Sequence, residues 1–176
     1  MSRVGQSVID ISGLKCTFDP SISTVSLSFG TATSEHVLPS GITCEIDGNC
    51  MRLKTEDTSA SVLLGLHRSL LNNVASGLKS KFQRRLLLNG VGYKAEVRGR
   101  YLILWLGYTH NIKYFISSAV SITSLKPTEL LIESSDKHIL GLVVSDLCSL
   151  RKYDPYKGKG IFPSDVVMLR KESKKK

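Results

Sequence analysis

No apolar run in this sequence approaches the roughly 18 residues that a membrane-spanning helix needs, so a helical span is excluded. The start, MSRVGQSVIDI, lacks the apolar core of a secretory signal and the Arg-rich amphipathic pattern of an import presequence. Cysteine is sparse. Cys16, Cys44, Cys50 and Cys148 include no C-x-x-C pair and match no common zinc spacing. Four reduced, mostly buried thiols in a reducing compartment are expected. His36, His67, His110 and His138 are scattered, so no metal site is expected. A catalytic constellation is also missing. Asp136, His138 and Ser145 are close in sequence but share no helical face, and Glu129 and Glu133 fall on an edge-like strand and a turn. The chain therefore reads as a non-enzyme, with no cofactor, no small-molecule substrate and no membrane partner.

What is present is a foldable chain with an excess of base. Hydrophobic residues make up 41% of 176 positions, enough for a packed core. The formal net charge is +9, which points to a polyanionic partner. The charge is uneven. Residues 1–76 hold 5 Lys+Arg against 7 Asp+Glu, a net of −2, while residues 77–176 hold 19 against 8, a net of +11. The polyanion-binding surface is expected in the second half.

A faint internal repeat runs with a period of 76–77 residues. Val25-Ser-Leu-Ser-Phe-Gly30 aligns with Leu102-Ile-Leu-Trp-Leu-Gly107, Leu53 and Glu56 with Leu130 and Glu133, and, after a one-residue slip, Gly65-Leu66 with Gly141-Leu142, Ser69 with Ser145 and Leu71 with Leu147. In the first half, residues 25–29, 42–46 and 51–54 read as strands, with a hairpin turn at Asp47-Gly48-Asn49. A helix capped by Thr58 or Ser59 is expected to run to about Ser76, with Val62, Leu66, Leu70 and Val74 as its apolar stripe, Leu63 and Leu71 beside it, and Gly77 as its stop. In the second half, residues 82–88, 93–98, 101–106, 112–116 and 129–132 read as strands. A helix capped by Ser134 or Ser135 should follow from about Asp136 to Leu150, with Ile139, Leu142, Val143 and Leu147 inward. The class is α+β: two similar small domains, each a mostly antiparallel sheet covered by one helix. The expected boundaries are 1–77, 78–161 and a basic C-terminal extension, 162–176.

Two glycine motifs invite a nucleotide reading. Gly90-Val-Gly92-Tyr-Lys-Ala95 fits G-x-G-x-x-A, but a dinucleotide fingerprint needs a helix next, and Tyr93–Arg98 alternates as a strand. Lys157-Gly-Lys-Gly160 lacks the long glycine spacing and the Ser or Thr of a phosphate loop. The stretch from Arg151 to Ile161 reads instead as a flexible basic loop. Its glycines would let backbone approach phosphates, its lysines would supply charge, and Tyr153 and Tyr156 would stack.

These residues resemble a known family. Residues 82–116, FQRRLLLNGVGYKAEVRGRYLILWLGYTHNIKYFI, are similar to the central segment of bacterial-type ribosomal protein six of the large subunit, with its G-V-G-Y-[RK]-A turn and L-x-L-x-L-G-[YF]-[ST]-H strand. Residues 136–161 resemble its ending, D-K-x-x-x-G followed by P-Y-K-G-K-G-I; MSRVG resembles its start, and residues 67–77 resemble its first helix. The resemblance implies two domains from an ancient duplication, a structural place near the stalk base and factor-binding region, and anchoring on large-subunit ribosomal RNA chiefly through the second domain, beside neighbouring ribosomal proteins. The candidate RNA-binding residues are Lys94, Arg98, Tyr108, His110, Arg151, Lys152, Tyr156, Lys157, Gly158, Lys159 and Gly160, with Lys174, Lys175 and Lys176 at the terminus. The sequence departs from the family at Phe29-Gly-Thr-Ala-Thr-Ser34, which has no basic residue, and at Ser117-Ser118, where the family has a proline. These drifts favour an organellar member in the mitochondrial matrix, with bacterial cytoplasm or plastid as alternatives. Because Met1 coincides with the family's start, a mitochondrial version is expected to be encoded in the organelle. The rival readings are a free RNA-binding regulator and, further off, a nucleotide-using enzyme.

Overall fold

Alternating apolar and polar residues produce short strands that pair with their neighbours, and the two halves do this in the same order. The computed structural model describes residue 5 and residues 7–55 and 60–172. Two compact units, Met1–Lys81 and Phe82–Lys176, make up the chain. The first has strands β1 (Ile9–Asp10), β2 (Lys15–Asp19), β3 (Thr24–Phe29), β4 (Ala32–Val37), β5 (Ile42–Asp47) and β6 (Cys50–Thr55), then helix α1 (Ser61–Lys79). The second has β7 (Phe82–Asn89), β8 (Lys94–Arg98), β9 (Tyr101–Trp105), β10 (Ile112–Phe115), β11 (Val120–Lys126) and β12 (Glu129–Ser134), then α2 (Lys137–Leu150) and β13 (Gly160–Pro163).

Each unit is α+β, and its strands divide between two antiparallel sheets. In the first unit the orders are β1-β6-β5 and β2-β3-β4; in the second, β7-β12-β11 and β8-β9-β10 repeat them, with β13 added on the free edge of β7. Loop hydrogen bonds repeat as well. Ile11 N–H donates to the Asn49 carbonyl at 2.9 Å as Leu88 does to Thr128 at 2.9 Å; Leu38 donates to Ser23 at 2.7 Å as Ile116 does to Arg100 at 2.8 Å; and Ile42 donates to Pro39 at 3.3 Å as Val120 does to Ser117 at 3.1 Å. The register makes Leu53 equivalent to Ile132, and Met51 to Leu130, because Ile9 pairs with Met51 as Leu86 pairs with Leu130. The expected match of Leu53 to Leu130 is therefore two residues off. A β-bulge between Ser124 and Lys126 accounts for one of the extra residues. Glu56 lies outside the described residues.

Each unit has its own core. Ile9, Val25, Leu27, Met51, Leu64 and Leu71 gather in the first, and Leu86, Leu102, Leu104, Leu130, Leu140 and Leu147 in the second. Burying one such side chain contributes about 1.5–3 kcal/mol.

Several expectations are corrected. Most of the stripe on α1 is on the wrong face: Val62 is 81% and Leu66 53% exposed, and Leu63 and Leu70 are exposed too, while Val74 packs half-buried against the core and Leu71 is buried with Leu64, Ala75 and Gly77. The helix is apolar on two faces, and the buried one uses small residues that a hydrophobic pattern underweights. Gly77 does not stop the helix, which continues to Lys79. The Thr58 or Ser59 cap lies outside the described residues; Ala60 occupies the N-cap position. On α2, Asp136 is the cap, its Oδ1 accepting the His138 N–H at 2.7 Å, while Ser134 Oγ accepts from the Asp136 N–H at 3.1 Å. Leu140 replaces Leu142 on the inner face, and Leu142 is 51% exposed. Strands β1, β2, β4, β11 and β13 were not expected. The supposed turn over residues 29–34 is a two-residue hairpin, Gly30-Thr31, feeding β4. β13 carries the second sheet to Pro163, past the boundary expected at 161.

Candidate nucleic-acid interface

Three loops of the second unit meet at one end of its sheets. The first is Gly90-Val91-Gly92-Tyr93, joining β7 to β8; the second spans residues 106–111, joining β9 to β10; the third spans residues 151–159, between α2 and β13. Tyr93 ties the first two together. Its ring is buried beneath Gly90, where a Cβ would stand 2.8 Å from the ring atoms, so only glycine fits there. A Cβ at Gly107, φ +72°, would lie 3.4 Å from the same ring. The Gly-rich turn is therefore a seat for an aromatic ring, and strand β8 follows it.

Arg151 joins the third loop to the others. Its guanidinium lies 4.9 Å from the Tyr108 ring centroid, a cation–π contact. Contacts with Tyr108 first, and then with Tyr93, raise its pKa above the ordinary arginine value, so it stays charged. Tyr108 Oη also donates to the Leu150 carbonyl at 3.0 Å, the last residue of α2. Asn89, at the end of β7, donates from Nδ2 to the Gly158 carbonyl at 2.8 Å.

The third loop is closed on itself, contrary to the expectation of a flexible one. The Asp154 N–H donates to the Lys159 carbonyl at 2.8 Å, the Gly158 N–H to the Asp154 carbonyl at 2.7 Å, and the Tyr156 N–H to Asp154 Oδ1 at 2.9 Å. Gly158 and Gly160 are buried, and the Gly158 N–H and carbonyl are taken up by Asp154 and Asn89. Gly160 has φ +142°, and a Cβ there would meet Tyr153 Cα at 2.6 Å. Its glycine lets β13 pass against the Tyr153 backbone. With the loop held in this way, Lys152, Tyr156, Lys157 and Lys159 are left exposed on its outside.

Lys94 and His110 belong to the same end. Lys94 is exposed at the start of β8, its Nζ 4.3 Å from the Trp105 ring centroid, and His110 is exposed in the 106–111 loop. Arg98 is not brought there. It sits four residues along β8, about 13 Å away, where β8 turns through Gly99-Arg100 into β9. It forms an exposed ion pair with Glu96, Nε to Oε1 at 2.9 Å, which solvent screens. Lys174, Lys175 and Lys176 lie outside the described residues. Sequence reasoning missed Tyr93 and Asn89, whose roles appear only when the loops are assembled. In Tyr93's case the flanking glycines were a signal, read for their backbone freedom and not for the ring they make room for.

The chain matches the model of the family described as ribosomal protein L6 over residues 89–162, a stretch that includes all three loops. It is 35% identical to the large ribosomal subunit protein uL6 of Stenotrophomonas maltophilia over 99% of each chain. The uL6 of Pelobacter propionicus is 37% identical over 99% of this chain and 98% of its own, and that of Methylocella silvestris 35% identical over all of both. The chain belongs to the ribosomal protein L6 family. This L6 family member carries its exposed Lys152, Lys157 and Lys159 where the matched stretch folds back onto β7. The carboxylate of Asp136 is used in capping α2, away from the loops. All four cysteines are free thiols, and burial pushes the Cys44 thiol up to about 12.

Proposed function

We propose that this L6 family member, a structural constituent of the large ribosomal subunit, is anchored on ribosomal RNA by the loop end of its second unit, near the stalk base and factor-binding region. The observation that carries the reading is the joining of three loops through Tyr93, Arg151 and Asn89, which leaves Lys94, Lys152, Lys157 and Lys159 exposed together. Cations held on a rigid frame neutralise phosphates without a large ordering cost, and each released counterion favours binding. The excess of +11 in residues 77–176 supports the same half of the chain. Such contacts position the protein and carry little sequence information. The role is structural, with no catalytic step, and neighbouring ribosomal proteins complete the surroundings.

The compartment we propose is the mitochondrial matrix, on the drift of the first-unit turn at Gly30-Thr31, which has no basic residue. Sedimentation of a lysate through a gradient tests the function: the protein should travel with the large subunit and leave it at high salt. A protein found only at the top of the gradient would contradict the reading. Fractionation of the source cells tests the compartment, and co-purification with a bacterial or plastid ribosome would overturn the mitochondrial assignment.

A further inference from the structure

The β8-β9-β10 sheet has a second face, and its composition is unlike that of its duplicate. The inner face carries Ala95, Leu102 and Leu104 into the core. The pairing register fixes what lies on the other side: Lys94 opposite Trp105, Arg98 opposite Tyr101, Ile103 opposite Lys113, and Tyr101 opposite Phe115. Tyr101 and Phe115 are 51% and 55% exposed, with ring centroids 5.8 Å apart in an edge-to-face pair. Lys94 covers the Trp105 ring. Glu96 is the one acid on the face; it pairs with Arg98 and is also attracted by Lys94, and against Lys94, Arg98 and Lys113 it leaves the face net positive.

The duplicated sheet supplies an internal control. At an offset of 77 residues, Thr24, Ser26 and Ser28 of β3 stand where Tyr101, Ile103 and Trp105 stand on β9. The inner-face residues Val25 and Leu27 match Leu102 and Leu104 and are buried in both units. Small hydroxyl residues thus satisfy the fold at these positions. The aromatic row in the second unit is not a requirement of packing, and it carries exposed apolar area that a partner would cover.

We propose that this face is a stacking platform for unpaired ribosomal RNA nucleotides, with Tyr101, Trp105 and Phe115 receiving bases and Lys94 and Lys113 the adjoining phosphates. The proposal rests on the RNA-anchoring reading and extends it to a surface outside the three loops. Bases stack on aromatic side chains whatever their sequence, and flanking cations hold the backbone. A net positive face with three rings fits that chemistry better than it fits an apolar peptide, which would not draw on the lysines.

Trp105 is the chain's one tryptophan, so its fluorescence reports on this face alone. Titrating the full chain with short single-stranded poly(A) should quench it, and blunt duplex RNA should not. The Tyr101→Thr, Trp105→Ser variant installs the residues of the first unit and should weaken poly(A) binding, followed by anisotropy of labelled RNA, about 10-fold or more. Lys157→Ala with Lys159→Ala should leave the quenching in place, which separates this surface from the loop end. If the aromatic variant does not fold, Lys113→Gln, a cation of this face that is not among those of the loop end, carries the test and should flatten the salt dependence by about 0.7–0.9 units. Unchanged Trp105 emission at saturating poly(A) would overturn the proposal. So would a folded aromatic variant that binds poly(A) like the parent chain, and such a variant lost from the subunit would assign the face to a protein neighbour.

Discussion

Leu27 and Leu104 hold the same place in the two units, and both are buried; Ser28 and Trp105, one residue further on, also share a place and differ in size, polarity and partner. The same contrast runs through the molecule. Inner faces, hairpin pairings and three loop hydrogen bonds are repeated, while outer faces and several connections have separated. The β2–β3 connection spans residues 20–23, against Gly99-Arg100 in the second unit; the β3–β4 turn is Gly30-Thr31, against residues 106–111. Close packing explains the difference. A buried position answers to every neighbour around it, so a change of even one methylene is felt. An outer-face residue or a loop answers to solvent and to whatever binds. The second unit has used that freedom to add a longer loop, strand β13 and a row of rings, and it holds the basic excess.

The comparison can be broken first at its cores. Leu71 and Leu147 are equivalent and have no exposed surface. Leu71→Ala and Leu147→Ala should each destabilise the chain by roughly 2–5 kcal/mol, read by urea unfolding. If one substitution were near neutral while the other was not, the two cores would not be equivalent.

Glycines sharpen the comparison at somewhat smaller cost. Gly30, φ +60°, stands in open space, so Gly30→Ala should cost about 1–2 kcal/mol through backbone conformation alone. Gly160→Ala adds a collision with Tyr153 and should cost roughly 2–4 kcal/mol. It should also loosen the lysine loop and weaken RNA binding, which Gly30→Ala should not do. Equal losses of stability and binding in the two variants would contradict this account.

The smallest expected difference is a sensitivity to acid confined to the first unit. His36 Nε2 and His67 Nδ1 are 3.0 Å apart, across β4 and α1. Burial lowers both pKa values below the ordinary 6.5, and the neighbouring His67 lowers that of His36 further. A base with a depressed folded pKa favours the neutral fold. Its contribution is complete above pH 6.5 and is lost as pH falls through the folded values. The second unit has Tyr114 and Val143 at the equivalent places. His67→Val should therefore reduce the fall in melting temperature between about pH 7 and pH 5. An unaltered fall would place the acid sensitivity elsewhere.

Much of this was legible in the sequence because apolar alternation and the repeat are written in the buried residues. Val25, Leu27, Leu102 and Leu104 gave two strands and a duplication. Strands β2 and β4 were not legible, since Lys15–Asp19 and Ala32–Val37 are polar edge strands whose pairing depends on a neighbour. The stripe on α1 was misread because Val62, Leu66 and Leu70 satisfy the helical period as well as Leu64, Leu71 and Ala75 do, and periodicity does not say which face meets a sheet. At the candidate interface, Lys157 and Lys159 stand out in the sequence by charge and motif, and the structure leaves both exposed on the outside of the closed loop. The packing of Gly158 and Gly160 was not legible, because their neighbours Asn89 and Tyr153 are brought to them only when β13 pairs with β7. The separation of Arg98 from the loop end, about 13 Å along β8, was not legible either, since the sequence does not say which candidate residues share a surface.

The central claim is that the second unit does the anchoring, and matched neutralisations in the full chain test it most directly. One variant replaces Lys152, Lys157 and Lys159 with Ala, and the other replaces Lys15, Arg52 and Lys54 of the first unit. The measurement is the slope of log affinity for large-subunit ribosomal RNA against log salt. The second-unit variant should flatten the slope by about 2–2.7 units, at 0.7–0.9 for each phosphate no longer neutralised, and the first-unit variant should leave it as it is. An unchanged slope in the second-unit variant, or equal flattening in both, would contradict the account.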